Sequence, residues 1–186
     1  MRRNKLKITV LALAAAALVF WTQSSAAYYT HRSTATNVIT SGDISAVIIE
    51  KMGDENFPEE GVTVLPGAVV SKKVSVQNTG GHPFWLRVRL NNGINDEVLS
   101  PDVMEFDLNL DDWIDGGNGF YYYKDEVQPG EETEKLFTEV KIAGNVNNSY
   151  MGKTLKLTVS AFAVQSEHNG TSPLEAAGWP KGGDSV

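Results

Sequence analysis

Ala68–Gln77, AVVSKKVSVQ, is the stretch whose reading decides the fold. Val70, Lys72, Val74 and Val76 fall on one side of it, and Val69, Ser71, Lys73 and Ser75 on the other. A period of two is a strand signal, because successive side chains of a strand point to opposite faces. Pro66-Gly67 before it and Asn78-Thr79-Gly80-Gly81 after it are turn sequences.

The same pattern recurs on both sides. Downstream, Phe84, Leu86, Val88 and Leu90 form one face of a strand, with Trp85, Arg87 and Arg89 on the other, and Asn91-Asn92-Gly93 is a hairpin-type turn. Leu99–Met104 predicts a short helical turn with Ser100 as N-cap and Pro101 in the first position. Phe106, Leu108 and Leu110 alternate with Asp107, Asn109 and Asp111, which predicts a half-buried strand. Asp112–Asp115, the turn Gly116–Gly119 and Phe120–Tyr123 read as a hairpin, and Thr133–Ile142 alternates loosely. Gly152–Gln165 is the last long strand, with Leu155, Leu157, Val159, Ala161 and Ala163 facing one way. Upstream, Val62–Leu65 leads into the Pro-Gly turn, and Asp43–Glu50 carries the apolar run Ala46-Val47-Ile48-Ile49. Short strands separated by Gly, Pro and Asn turns, with no long amphipathic helix, predict an all-β sandwich.

The amino end reads differently. Met1–Lys7 holds Arg2, Arg3, Lys5 and Lys7 and no acid; Ile8–Trp21 is apolar apart from Thr9; Ser25-Ala26-Ala27 supplies small residues. That order is a secretory signal peptide, cleaved between Ala27 and Tyr28. Its apolar core falls short of the ~20 residues of a comfortable membrane span, so the membrane is met only through the uncleaved leader. About 160 residues then remain, enough for one domain with its own core.

Taking the leader's four basic residues from the chain's 16 leaves 12 against 23 acids, a net charge of −11. Such a chain repels nucleic acid and anionic lipid. It contains no cysteine, so disulfides are excluded even in an oxidising compartment. Stability must come from the β core, from neighbouring subunits or from another crosslink.

Tyr28-Tyr29-Thr30, a polar spacer and then Gly42, Ile44, Ala46 and Ile48 resemble the start of the TasA/camelysin family of exported bacterial proteins. Pro66-Gly67 leading to a strand that ends in Asn78-Thr79-Gly80 is similar to that family's pattern, as are the Asp112-Trp113 hairpin with Tyr121-Tyr122-Tyr123 and the closing strand through Ala163-Val164-Gln165. The resemblance implies a jelly-roll sandwich, export through a specialised signal peptidase, and a secreted structural subunit of a biofilm matrix or cell-surface fibre. It also implies that the mature N-terminal segment inserts into the next molecule. Thr34, Thr36, Val38 and Ile39 would then be the contact residues of a polymerisation arm. The organisation expected is a leader (1–27), an arm or donor strand (28–40), a sandwich (41–166) and a flexible tail (167–186) with Trp179 as an isolated anchor. The expected partners are copies of the chain itself, the signal peptidase and an accessory or anchoring matrix protein. The tail carries no LPxTG motif for cell-wall attachment.

Catalysis finds little support in the residues. His31, His82 and His168 lie in the arm, a turn and the tail, without the clustered ligands that zinc catalysis needs. No GxSxG elbow is present, and the Gly-rich segments are turns, so neither a serine triad nor a phosphate cradle is indicated. Asp107, Asn109 and Asp111 lack the glycine and glutamate of an EF-hand loop. The expectation is therefore a protein with no catalytic residues, no cofactor and no metal. The alternatives are a camelysin-like surface metalloprotease, and a monomeric adhesin or accessory matrix protein that binds sugar or host protein through the aromatic hairpin. An isopeptide crosslink requires a buried lysine beside Asn or Asp; Lys72, Lys73, Lys153 and Lys156 lie in or near strands, and the sequence singles out no pair.

Overall fold

The computed structural model describes residues 29–38 as backbone, and residues 44–59 and 61–180 with their side chains. The leader, the cleavage site at Ala27 and Tyr28, and Ile39 and Gly42 lie outside the described residues. Among the described residues there are eleven strands: β1 (Tyr29–Val38), β2 (Ala46–Met52), β3 (Glu55–Asn56), β4 (Val62–Val64), β5 (Val69–Asn78), β6 (Phe84–Ile94), β7 (Met104–Phe106), β8 (Trp113–Asp115), β9 (Phe120–Tyr123), β10 (Phe137–Ile142) and β11 (Thr154–Gln165). They form two sheets, one in the order β4-β1-β11-β6-β9-β8 and the other β3-β2-β5-β10-β7. The protein is an all-β sandwich, as the alternation predicts. Among the described residues no helix is long and apolar enough to cross a membrane.

The core lies between the sheets and is built from the predicted faces. Ile44, Ala46 and Ile48 point inward from β2 and its lead-in. Val70, Val74 and Val76 do so from β5, and Phe84, Leu86 and Val88 from β6. Leu155, Leu157, Val159, Ala161 and Ala163 of β11 are all essentially inaccessible to solvent. β11 and β6 pair antiparallel from Leu155↔Ile94 to Gln165↔Phe84, and this long ladder is the spine of the first sheet. The predicted hairpin closes as β8 and β9, with Trp113 opposite Tyr123 and the two rings 5.1 Å apart.

Asn78 shows how a turn residue becomes a clamp. It is fully buried at the end of β5, donating through Nδ2 to the His82 and Val127 carbonyls at 2.9 and 2.8 Å. Its Oδ1 accepts from the Gly80 amide at 2.9 Å. Asn78→Ala leaves these buried groups short of a partner and is expected to cost about 2–4 kcal/mol in urea unfolding.

Two local expectations are corrected. Leu99–Met104 forms no helix: the Ser100 hydroxyl accepts from the Asp102 amide at 3.1 Å in a tight turn, and the chain enters β7 at Met104. The strand predicted through Phe106, Leu108 and Leu110 stops at Phe106. Here short polar side chains take over the backbone bonding. Asp107 accepts from the Thr138 and Glu139 amides at 2.9 and 2.7 Å, and Asn109 Oδ1 accepts from the Asp111 and Asp112 amides. Burial alone would raise the Asp107 carboxyl, but the bonds from Thr138 and Glu139 together outweigh it and hold the group below the ordinary carboxylate range.

The tail has a seat. After Gln165 the chain turns back over the outer face of the first sheet, and Trp179 packs edge-on against Tyr122 with ring centroids 5.9 Å apart. The segment is tied internally by Asn169, which donates to the Gln165 and Ala177 carbonyls and accepts from the Ala177 amide. The expected isolated anchor is therefore docked, and residues 167–180 belong to the folded unit. The physical reason is that Trp85, Arg87, Phe120 and Phe162 would otherwise leave a large aromatic surface in water.

Candidate assembly strand and a buried ion pair

β1 is the strand that the sequence singles out as the arm. It runs parallel to β11, in register from Thr30↔Thr154 to Val38↔Phe162. On its other side Tyr29, Thr30 and His31 pair antiparallel with Val64, Thr63 and Val62 of β4. Of the arm positions, Thr34 stands opposite Thr158, Thr36 opposite Ser160 and Val38 opposite Phe162.

Three properties set β1 apart. Its pairing with β11 is parallel, and every other strand pairing in the described residues is antiparallel. Parallel ladders are slightly weaker per residue. Its sequence, YTHRSTATNV, is mostly polar, so the backbone ladder rather than apolar burial must hold it. Its longer ladder is with β11, near the far end of the chain, so that pairing closes one of the longest loops in the fold, which slows its formation. Beside its start, the β4–β5 turn exposes Leu65 and Val69. With Met52, Val62 and Val64 these line an apolar groove of about 440 Å³.

The second unusual feature lies in the other sheet. Lys72 sits on the core side of β5, where alternation places it, and its side chain is fully buried. Its Nζ is 3.0 Å from Glu50 Oε2 on β2 and 3.8 Å from the centre of the Phe57 ring. Burial pushes the Lys72 ammonium down to about 8, against the pull of Glu50, whose charge and hydrogen bond favour the protonated form. Of the four strand lysines named in the sequence, this is the buried one. Lys73 donates to the Gly53 carbonyl at the surface, and Lys153 pairs with Asp96 at 2.5 Å in a half-exposed bridge.

This site makes stability depend on pH. The folded protein releases the Lys72 proton near 8 and the unfolded chain near 10.5. Between those values the unfolded chain binds more protons, so stability rises with pH, by about 3 kcal/mol across the whole window. Burial raises the phenols of Tyr121 and Tyr123, so their ionisation at alkaline pH opposes this rise. Urea unfolding between pH 7.5 and 9.5 is expected to show the rise, and Lys72→Met to abolish it.

Other candidate residues are not brought together. Asn109 Oδ1 and Asp107 Oδ1 are taken up by backbone amides and Asp107 Oδ2 by the Thr138 hydroxyl, and His82 and His168 are exposed at separate places. Among the described residues no three His, Cys, Asp or Glu side chains are grouped to hold a metal ion. In the aromatic hairpin Trp113, Phe120, Tyr122 and Tyr123 are buried and Tyr121 is half-buried. What sequence reasoning missed is the Lys72–Glu50 pair and the seat of Trp179. The only signal for the first was a lysine on an apolar face. Comparison with protein-family models, characterised proteins and solved structures gives no match to this chain.

Proposed function

We propose that the chain is a secreted structural subunit of an extracellular fibre or biofilm matrix, and that subunits join by exchanging β1. The observation that carries this reading is a polar, N-terminal strand held in a parallel ladder between β4 and β11. When β1 leaves, it uncovers the edge of β11, and an uncovered edge strand is a template for a strand from another chain. The β1 of a second copy fits that slot residue for residue, because it is the same segment in the same register. Each subunit gives one strand and receives one, a head-to-tail contact that makes open filaments rather than closed rings.

The ladder lost in one molecule is regained in the next. The exchange is therefore close to neutral per bond, governed by concentration and by the barrier to releasing β1. The basic and apolar leader ahead of Tyr28 would hold the chain at the membrane and block exchange until it is removed. This is the assembly expected of the TasA/camelysin family that the sequence resembles. Electron microscopy of the protein starting at Tyr28, over a range of concentrations, tests it. Filaments that lengthen with concentration are expected; a strict monomer at every concentration would overturn the reading.

A further inference from the structure

One row of residues crosses the first sheet from β1 to β8. Val38 stands opposite Phe162, Phe162 opposite Arg87, Arg87 opposite Tyr122, and Tyr122 opposite Ile114. Phe162, Arg87, Tyr122 and Ile114, standing opposite one another, share the outer face of the sheet. In the middle of the row the side chains are stacked rather than merely adjacent. The Arg87 guanidinium lies 3.9 Å from the centre of the Phe120 ring and 5.5 Å from that of Phe162, and Phe120 meets Phe162 edge-on at 5.6 Å.

Trp179 closes this stack from outside. Its ring is 4.8 Å from Arg87 and 5.9 Å from Tyr122, and with it in place Arg87 is only 6 % exposed. The segment that delivers Trp179 is anchored at its root, where Trp85 Nε1 donates to the Asn169 carbonyl at 3.0 Å and the Ser166 amide to the Pro83 carbonyl at 3.3 Å. Gly170 has φ +83, and a Cβ there would lie 3.0 Å from Glu175 Cβ, so the turn that aims the segment back at the sheet requires glycine.

We propose that the C-terminal segment, residues 166–180, is a latch on β1. Trp179 packs the Arg87–Phe120–Phe162 stack, and Phe162 is the register partner of the last residue of β1. Removing the indole lets water onto Arg87 and frees the Phe162 ring, which loosens the end of the ladder that leads into the β1–β2 connection. Under the proposed exchange of β1, loosening this end lowers the barrier to the strand's release. The consequence for assembly rests on the proposed exchange of β1; the latch is a property of the single molecule.

Hydrogen exchange of the protein starting at Tyr28, compared with Trp179→Ala and Trp179→Phe, separates the two. Trp179→Ala is expected to speed amide exchange over Thr34–Val38 by roughly tenfold or more while β5 and β10 keep their protection. Trp179→Phe, which keeps a ring over Arg87, should stay near the parent protein. Faster exchange confined to residues 166–180 and β9, or spread equally over both sheets, would overturn the latch. Filament growth is read on the same samples. If β1 exchange speeds up and no variant forms filaments, the assembly reading fails and the latch stands.

Discussion

A mature chain that lacks Tyr29–Val38 is expected to form no filaments and to lose at least about 5 kcal/mol of stability. Nine register pairs with β11 and three with β4 disappear together. Each backbone hydrogen bond contributes only about 0.5–1.5 kcal/mol net, but the loss is summed over the strand and strips one edge of β11. Native domains hold about 5–15 kcal/mol in total, so the truncated protein is marginal at best. At roughly 2–4 °C per kcal/mol for a domain of this size, the midpoint falls by 10 °C or more. A synthetic peptide of residues 28–40 should restore much of it by filling the vacant slot from outside. Calorimetry with and without the peptide reads this directly. An unchanged midpoint would mean that β1 contributes no ladder, and with it the basis for exchange would go.

The second large effect concerns the other sheet. Glu50→Ala is expected to destabilise the fold by about 3–5 kcal/mol at pH 7, because it leaves the Lys72 ammonium buried without its counter-charge. The loss should shrink at pH 9.5, where the folded protein holds Lys72 as the neutral amine. Replacing both partners, Lys72→Met with Glu50→Leu, should return stability to the parent value or above, since the desolvation of two charges is then no longer opposed to folding. Urea unfolding of the three variants at both pH values is the measurement. A double variant as unstable as Glu50→Ala alone would show that the pair is not the source of the loss.

Much of this fold was legible in the residues. The inward faces of β5, β6 and β11 follow from alternation alone. So does the β8–β9 hairpin, from its run of turn residues. The misses have a common cause. Asp107 and Asn109 sit in an alternating pattern that reads as a strand, yet Asn109 takes the nearby Asp111 and Asp112 amides, and Asp107 takes those of Thr138 and Glu139, which only the fold brings within reach. Lys72 alternated correctly with three valines, but nothing near it in the chain says that Glu50 and Phe57 would enclose it. Trp179 stood alone in a run of glycine, proline and charge, with no local sign of Arg87 or Tyr122.

The sequence by itself determined that the protein is a β-sandwich, which strand faces are apolar, where the turns fall, and that the segment after Tyr28 is polar and strand-forming. Those properties depend on neighbours a few residues apart, and side-chain period and turn chemistry are local. Only the tertiary structure decided that β1 lies parallel to β11, that Lys72 is the enclosed lysine, and that residues 166–180 cover the outer face of the first sheet. Each of these joins residues far apart in the chain, and which distant groups meet is set by how the two sheets stack and close, a property no short window of residues contains.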